Sequence, residues 1–200
     1  LHGMILAPDG QKMSKSKGNG VMPGDVFEKY GADALRLWYY LDTRPATPSP
    51  IRYEKLQGNR NFINKVWNAS RFVMMQLEDF SDDDIKNLDK IVQDNVESSG
   101  KSSDKWILAT NKLAQEVTNF IDKYRFNLAV ENAREFFWHE FCDKWIEETK
   151  TLVQNEPDKK LEYLGKLIAT LVIQMKLLHP FAPFVTEKVW QSLKKIGLLS

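Results

Sequence analysis

From Tyr53 onward, apolar residues return at steps of three and four, a period that only packed helices satisfy over such a length. Phe62, Val66, Ala69 and Val73 line one face of a single long helix. Trp106, Leu113, Val117, Phe120 and Tyr124 make a second stripe, for which Ser103 is a candidate cap. Val130, Ala133, Phe137, Phe141 and Trp145 make a third. A further helix is expected from about Leu161 to Leu178, stopped by the two prolines of HPFAPF, with a last amphipathic piece from Thr186. Between the first two stripes, Ser81 to Ser103 is acidic, serine-rich and nearly free of aromatics, so it reads as a loop or weakly ordered connection. The expected fold is mainly α: a bundle of about four or five helices over residues 49–200.

The first 48 residues obey a different pattern. GMIL is short and apolar and runs into turn residues, which predicts a strand entering a loop. After Pro23 and Gly24, Asp25 is a candidate N-cap with Glu28 at the capping-box position, and Gly31 should end that helix. ADALRLWYYL predicts a second helix, and the proline-rich TRPATPSPIR a connector. This segment has the look of a strand–loop–helix remnant of another domain. The chain starts at Leu1 inside an apolar stretch, so we expect a piece of something longer.

Composition narrows the classes. With 42% hydrophobic residues the chain can bury a sizeable core, and a net charge of +1 makes no global demand for nucleic acid or membrane. The charge is segregated, however. Residues 51–71 hold five basic side chains against one acid, and residues 78–104 hold nine acids against three lysines. Such segregation builds the local field that a polyanion senses. A single cysteine, Cys142, excludes an internal disulfide framework and fits a reducing, cytoplasmic setting. No apolar run approaches membrane-spanning length, since Gln174 and Lys176 interrupt the best one.

The stretch DGQKMSKSKGNG, Asp9 to Gly20, gathers Lys12, Lys15 and Lys17 with Ser14 and Ser16 among glycines. Ammonium groups and hydroxyls suit phosphate oxygens, and glycines let backbone N–H groups approach. It is not a Walker A loop, because GxxxxGK followed by Ser or Thr cannot be laid over it. Composition alone favours a solvated basic loop.

The string itself says more. KMSKS, Lys12 to Ser16, resembles the signature of class I aminoacyl-tRNA synthetases, and KGNG…PGDVFEKYGADALRLW extends the likeness to their branched-chain subgroup. GNRNFINKVWNASRF, SDKWIL, FCDKWIE and LLHPFAPFVTEKVW are similar to the wording of the valyl members, so the resemblance covers Leu1 to about Trp190. It implies a loop that closes over ATP (with Mg2+) during activation of valine. Lys12 and Lys15 are then the catalytic cations, and Met13, Ser14 and Ser16 complete the ATP-binding set. It also implies a helical bundle that binds the anticodon stem-loop of tRNA(Val), in a monomeric parent enzyme. HIGH, the class's other phosphate-binding signature, is absent, so this stretch by itself is expected to be inactive.

Residues of the first helix bear on the RNA. Gln57, Asn61, Asn64, Asn68 and Arg71 fall on one stripe, with Arg60, Lys65 and Trp67 close by. Cations can hold phosphates, amides can read base edges and an aromatic can stack a base. We expect Arg60, Lys65 and Arg71 to contact phosphates, and Asn64, Asn68 and Trp67 to form an interhelical seam. Asp33 and Arg36 are expected to pair beneath the loop, and His179 to sit at the negative pole of its helix. Trp138 and Trp145 are expected in the core. His139 and Cys142 are spaced to share a metal, but without a second pair they are read as packing residues. Two alternatives stay open: an isoleucyl enzyme, and a stand-alone RNA-binding helical module whose loop has degenerated.

Overall fold

The computed structural model describes residues 3–43, 47–97 and 102–199. Strand β1 (Ile5–Leu6) lies parallel to β2 (Ser49–Pro50), with Ile5 opposite Ser49 and Leu6 opposite Pro50. Between them run the basic loop, α1 (Pro23–Tyr30) and α2 (Ala32–Asp42). Helix α1 starts three residues earlier than the Asp25 cap predicts: Met22 is the N-cap and Pro23 the first helical residue, its fixed φ suited to that place. Gly31, at φ +88°, ends α1 as expected and leads directly into α2.

The bundle follows: α3 (Tyr53–Met75), α4 (Asp82–Glu97), α5 (Lys105–Asp122), α6 (Phe126–Glu135), a π-helical stretch (Phe136–Trp145), α7 (Ile146–Asn155), α8 (Lys160–Leu178) and α9 (Pro183–Ile196). It holds more helices than composition suggested, chiefly because the acidic stretch is helical. Ser81 and Asp84 close a reciprocal cap at its start: Asp84 N donates to Ser81 Oγ at 3.2 Å, and Ser81 N donates to Asp84 Oδ2 at 3.1 Å. Three successive aspartates sit where the helix dipole favours anions, and Leu88 and Val92 go into the core. Residues 98–101 of that stretch lie outside the described residues. Asp104, not Ser103, caps α5, accepting from the amides of Trp106 and Ile107. Helix α9 begins at Pro183 rather than Thr186.

Helix α8 is the axis. It is apolar on nearly all sides and packs against α3 to α7 and α9, as a helix without a polar face must. At Gly165 it approaches α4 so closely that a Cβ would stand 2.4 Å from Ile91 Cγ2. Phe62, Val66, Val73, Phe137, Phe141 and Trp145 all reach this main core, and Trp138 packs half-buried against it. A second, smaller core gathers Val26, Tyr30, Ala34, Leu35, Trp38, Ile51 and Leu56, with Ile5 and Met13 packed on it. Among the described residues no helix is long and apolar enough to cross a membrane.

Candidate functional site

The basic loop has a definite internal structure. An antiparallel bridge between Leu6 and Lys12 and the bond from Ala7 N to Gln11 O, 2.9 Å, turn the chain back after β1, with Gly10 at φ +79°. Lys15–Lys17 form a 3-10 turn that Ser14 caps and Gly18, at φ +61°, closes. Asn19 ties both sides together: its Oδ1 accepts from Ser14 N at 2.9 Å, and its Nδ2 donates to Lys12 O at 3.3 Å. Met13 packs into the smaller core beneath. Lys17 donates to Gln11 Oε1 at 2.8 Å, whereas Lys12 and Lys15 are exposed and their ammonium groups make no hydrogen bond or ion pair among the described residues. Sequence reasoning passed over Asn19, although an amide between two glycines and next to a cation run is a standard signal for a side chain that organises a turn.

On α3 the amides divide by face. Asn64 and Asn68 are exposed and line an open groove of about 470 Å³ with Asn61, Lys65, Phe72 and Lys150. They are not the expected seam. Asn59 is: it is buried, donates to Ala34 O at 3.3 Å and accepts from Arg134 at 3.1 Å. Trp67 is half-buried against the main core. Arg60 is exposed, with its guanidinium 2.6 Å from Lys29 O. Lys65 lies 4.1 Å from the centre of the Trp138 ring and 2.9 Å from Asp143, whose carboxyl it holds below its ordinary pKa. Arg71 is exposed and unpaired among the described residues.

A profile described as tRNA synthetases class I (I, L, M and V) matches residues 1–47, and one described as anticodon-binding domain of tRNA ligase matches residues 104–199. Valine–tRNA ligases of Oceanobacillus iheyensis, Staphylococcus saprophyticus and Bacillus subtilis are 42%, 43% and 40% identical over 98% of this chain. The chain belongs to the class I tRNA synthetases. It spans about a fifth of the length of these relatives, 22% in each case. A LeuRS of Agrobacterium radiobacter, solved in a ternary complex with tRNA and LeuAMS, shares the fold at a TM-score of 0.55 and 22% identity, over 95% of this chain and 21% of its own.

Within this synthetase chain, α2 ties the loop's domain to the bundle in a way the sequence did not disclose. Asp33 does not pair with Arg36; its two oxygens accept from the amides of Phe184, 3.2 Å, and Val185, 2.8 Å, at the start of α9. Arg36 donates to the carbonyls of Pro180, 2.8 Å, and Phe181, 3.3 Å, just beyond α8. Burial pushes the Asp33 carboxyl above its ordinary pKa, against the pull of those amides and of Arg36. His179 at the end of α8 bonds Thr186 at 2.9 Å. His139 lies between Glu135 and Asp143 on the surface, while Cys142 is buried and its thiol pushed up to about 12 by desolvation.

Proposed function

We propose that this chain supplies the phosphate clamp and the anticodon stem-loop binding bundle of an enzyme that activates valine with ATP and joins it to tRNA(Val). The observation that carries the reading is that Lys12 and Lys15 stand exposed, their ammonium groups unpaired among the described residues, on a loop that Asn19 and Met13 hold in shape. As the valine carboxylate attacks the α-phosphorus, negative charge grows on the departing pyrophosphate. Two ammonium groups brought there late bind that charge more tightly than they bind ATP, and so lower the barrier. Ser14 and Ser16 add hydroxyl donors. Among the described residues no cluster of three or more His, Cys, Asp or Glu side chains could hold a metal, so we assign none of them to Mg2+, which would arrive with ATP.

The tRNA is held by the bundle, with Arg60, Lys65 and Arg71 on its phosphates. Lys65 would have to leave Asp143 or share it, so its contact is the weaker of the three. We take residues 1–48 as the end of the catalytic domain and 49–200 as the anticodon-binding domain. The two profiles and the two cores support that division, although Ile51 and Leu56 reach back into the smaller core. A monomer in the cytoplasm belongs to the same proposal. The identity of the curated relatives favours valine over isoleucine.

The test is valine-dependent pyrophosphate exchange by the full-length protein. Replacing Lys12 or Lys15 by alanine should slow it by about 10²–10³-fold each, as loss of a preorganised donor does. Exchange at wild-type speed in the double variant would overturn the clamp. Residues 1–200 alone should neither exchange pyrophosphate nor charge tRNA.

A further inference from the structure

The turn between α5 and α6 presents a tyrosine in a place where packing gives it no reason to be. Tyr124 ends the apolar stripe of α5 in the sequence, so the core should claim it. Instead it is 82% exposed. Its amide donates to Ile121 O at 2.9 Å and that of Arg125 to Phe120 O at 2.8 Å, the paired bonds of a helix terminus whose left-handed residue is usually glycine. Tyr124 occupies that position at φ +56°, a conformation that a side chain disfavours. The ring nevertheless has an aromatic neighbour. It meets Phe126 edge-on at 6.1 Å, Phe126 meets Tyr40 at 6.1 Å, and Tyr40 meets the buried Phe181 at 5.0 Å. The ring is thus joined through an aromatic chain to the core, while most of it stays open to water. Lys123 and Arg125 flank it, both exposed and with side chains that have no partner among the described residues.

We propose that Tyr124 is a stacking platform for an unpaired base of the bound tRNA, with Lys123 and Arg125 on the phosphates beside that base. The inference rests on the tRNA-binding reading above and adds a contact outside the α3 groove. A largely exposed ring steadied by an aromatic neighbour suits a base of any identity, because every base offers a π-face, and flanking cations suit the backbone that carries it. Asp122 is the one acid in this turn, and it also lacks a partner among the described residues, which leaves the local charge positive.

Binding of an unmodified tRNA(Val) transcript to the full-length protein tests this, because the backbone conformation separates folding from affinity. Tyr124→Gly should weaken binding roughly tenfold, the usual worth of one stacked base. It should also melt at or above the wild-type temperature, since glycine relieves the left-handed turn. Tyr124→Phe keeps the ring and should bind within about twofold of wild type. Lys123→Gln with Arg125→Gln should flatten the salt dependence of log Kd by about one to two units of slope. A Tyr124→Gly protein that binds like wild type overturns the platform while leaving the tRNA reading intact. So does one that melts lower with unchanged affinity, which would mean that protein covers the ring. A wild-type protein that fails to bind the transcript sinks both.

Discussion

At the scale of single residues, the loop depends on Asn19 more than on its lysines for its shape. One amide serves the two sides of the turn, accepting from Ser14 N and donating to Lys12 O, so the lysine backbones are held while the ammonium groups stay free. Any closing motion then carries the loop as a unit about its flanks instead of reorganising it. Asn19→Ala removes two bonds at a half-buried site, where each is worth about 0.5–1.5 kcal/mol. At roughly 2–4 °C per kcal/mol for a chain of this length, the melting temperature should fall by a few degrees. Pyrophosphate exchange should fall about tenfold in kcat with the KM for valine unchanged, because misplaced cations lose transition-state binding and not valine binding. A lowered melting temperature with kcat unchanged would mean that Asn19 supports the fold and not the clamp.

At the scale of elements, what the sequence disclosed depended on whether one period or two competing signals spoke. The α3 stripe and α8 were legible because their apolar spacing has no rival reading. Helix α4 was hidden because acid-rich, serine-rich composition argued for a loop, while Ile85, Leu88 and Val92 and the Ser81–Asp84 cap argued for a helix. The π stretch was invisible because Phe137, Phe141 and Trp145 recur at fours, which α and π turns accommodate equally. For the asparagines, period gave the faces but not which face α2 and α6 would cover, so Asn59 was missed and Asn64 and Asn68 were misassigned. The contact of α4 with α8 yields a test of the packing. Gly165→Ala drives a Cβ to within 2.4 Å of Ile91 Cγ2 and 3.1 Å of its Cβ. Overpacking costs about 1–3 kcal/mol, and helix propensity returns at most about 1 kcal/mol. A net loss of about 1 kcal/mol should lower the melting temperature by roughly 2–4 °C. Adding Ile91→Ala should cost less in the Gly165→Ala background than in wild type. Additive effects would place the close approach elsewhere.

At the scale of the whole molecule, the two cores share walls. Helix α2 gives Ala34, Leu35 and Trp38 to the smaller core and Leu37 to the main one, and α3 divides Leu56 from Phe62 and Val66 in the same way. Asp33 and Arg36 then fasten α2 to both sides of the α8–α9 turn, across 151 and 144 residues of sequence. No local pattern could have announced that clamp, since neither partner of a side chain to backbone bond marks the other. With shared walls and a clamp, the loop's domain and the bundle should unfold in one transition, seen alike by near-UV and far-UV circular dichroism. Asp33→Asn removes one acceptor and turns an NH2 toward a backbone amide in a buried place. The cost should be about 1–3 kcal/mol, shifting that one transition downward without splitting it. The pH dependence has a definite sign. Because burial raises the Asp33 carboxyl, the folded chain binds its proton more tightly than the unfolded chain does. This group's contribution to stability is therefore greatest below its unfolded pKa and falls as pH rises through its folded one. The asparagine cannot follow, so the gap between wild type and Asp33→Asn should widen on acidification from neutrality. A gap that narrows would mean that the amides of Phe184 and Val185 outweigh burial and that Asp33 serves α9 chiefly as a charged cap.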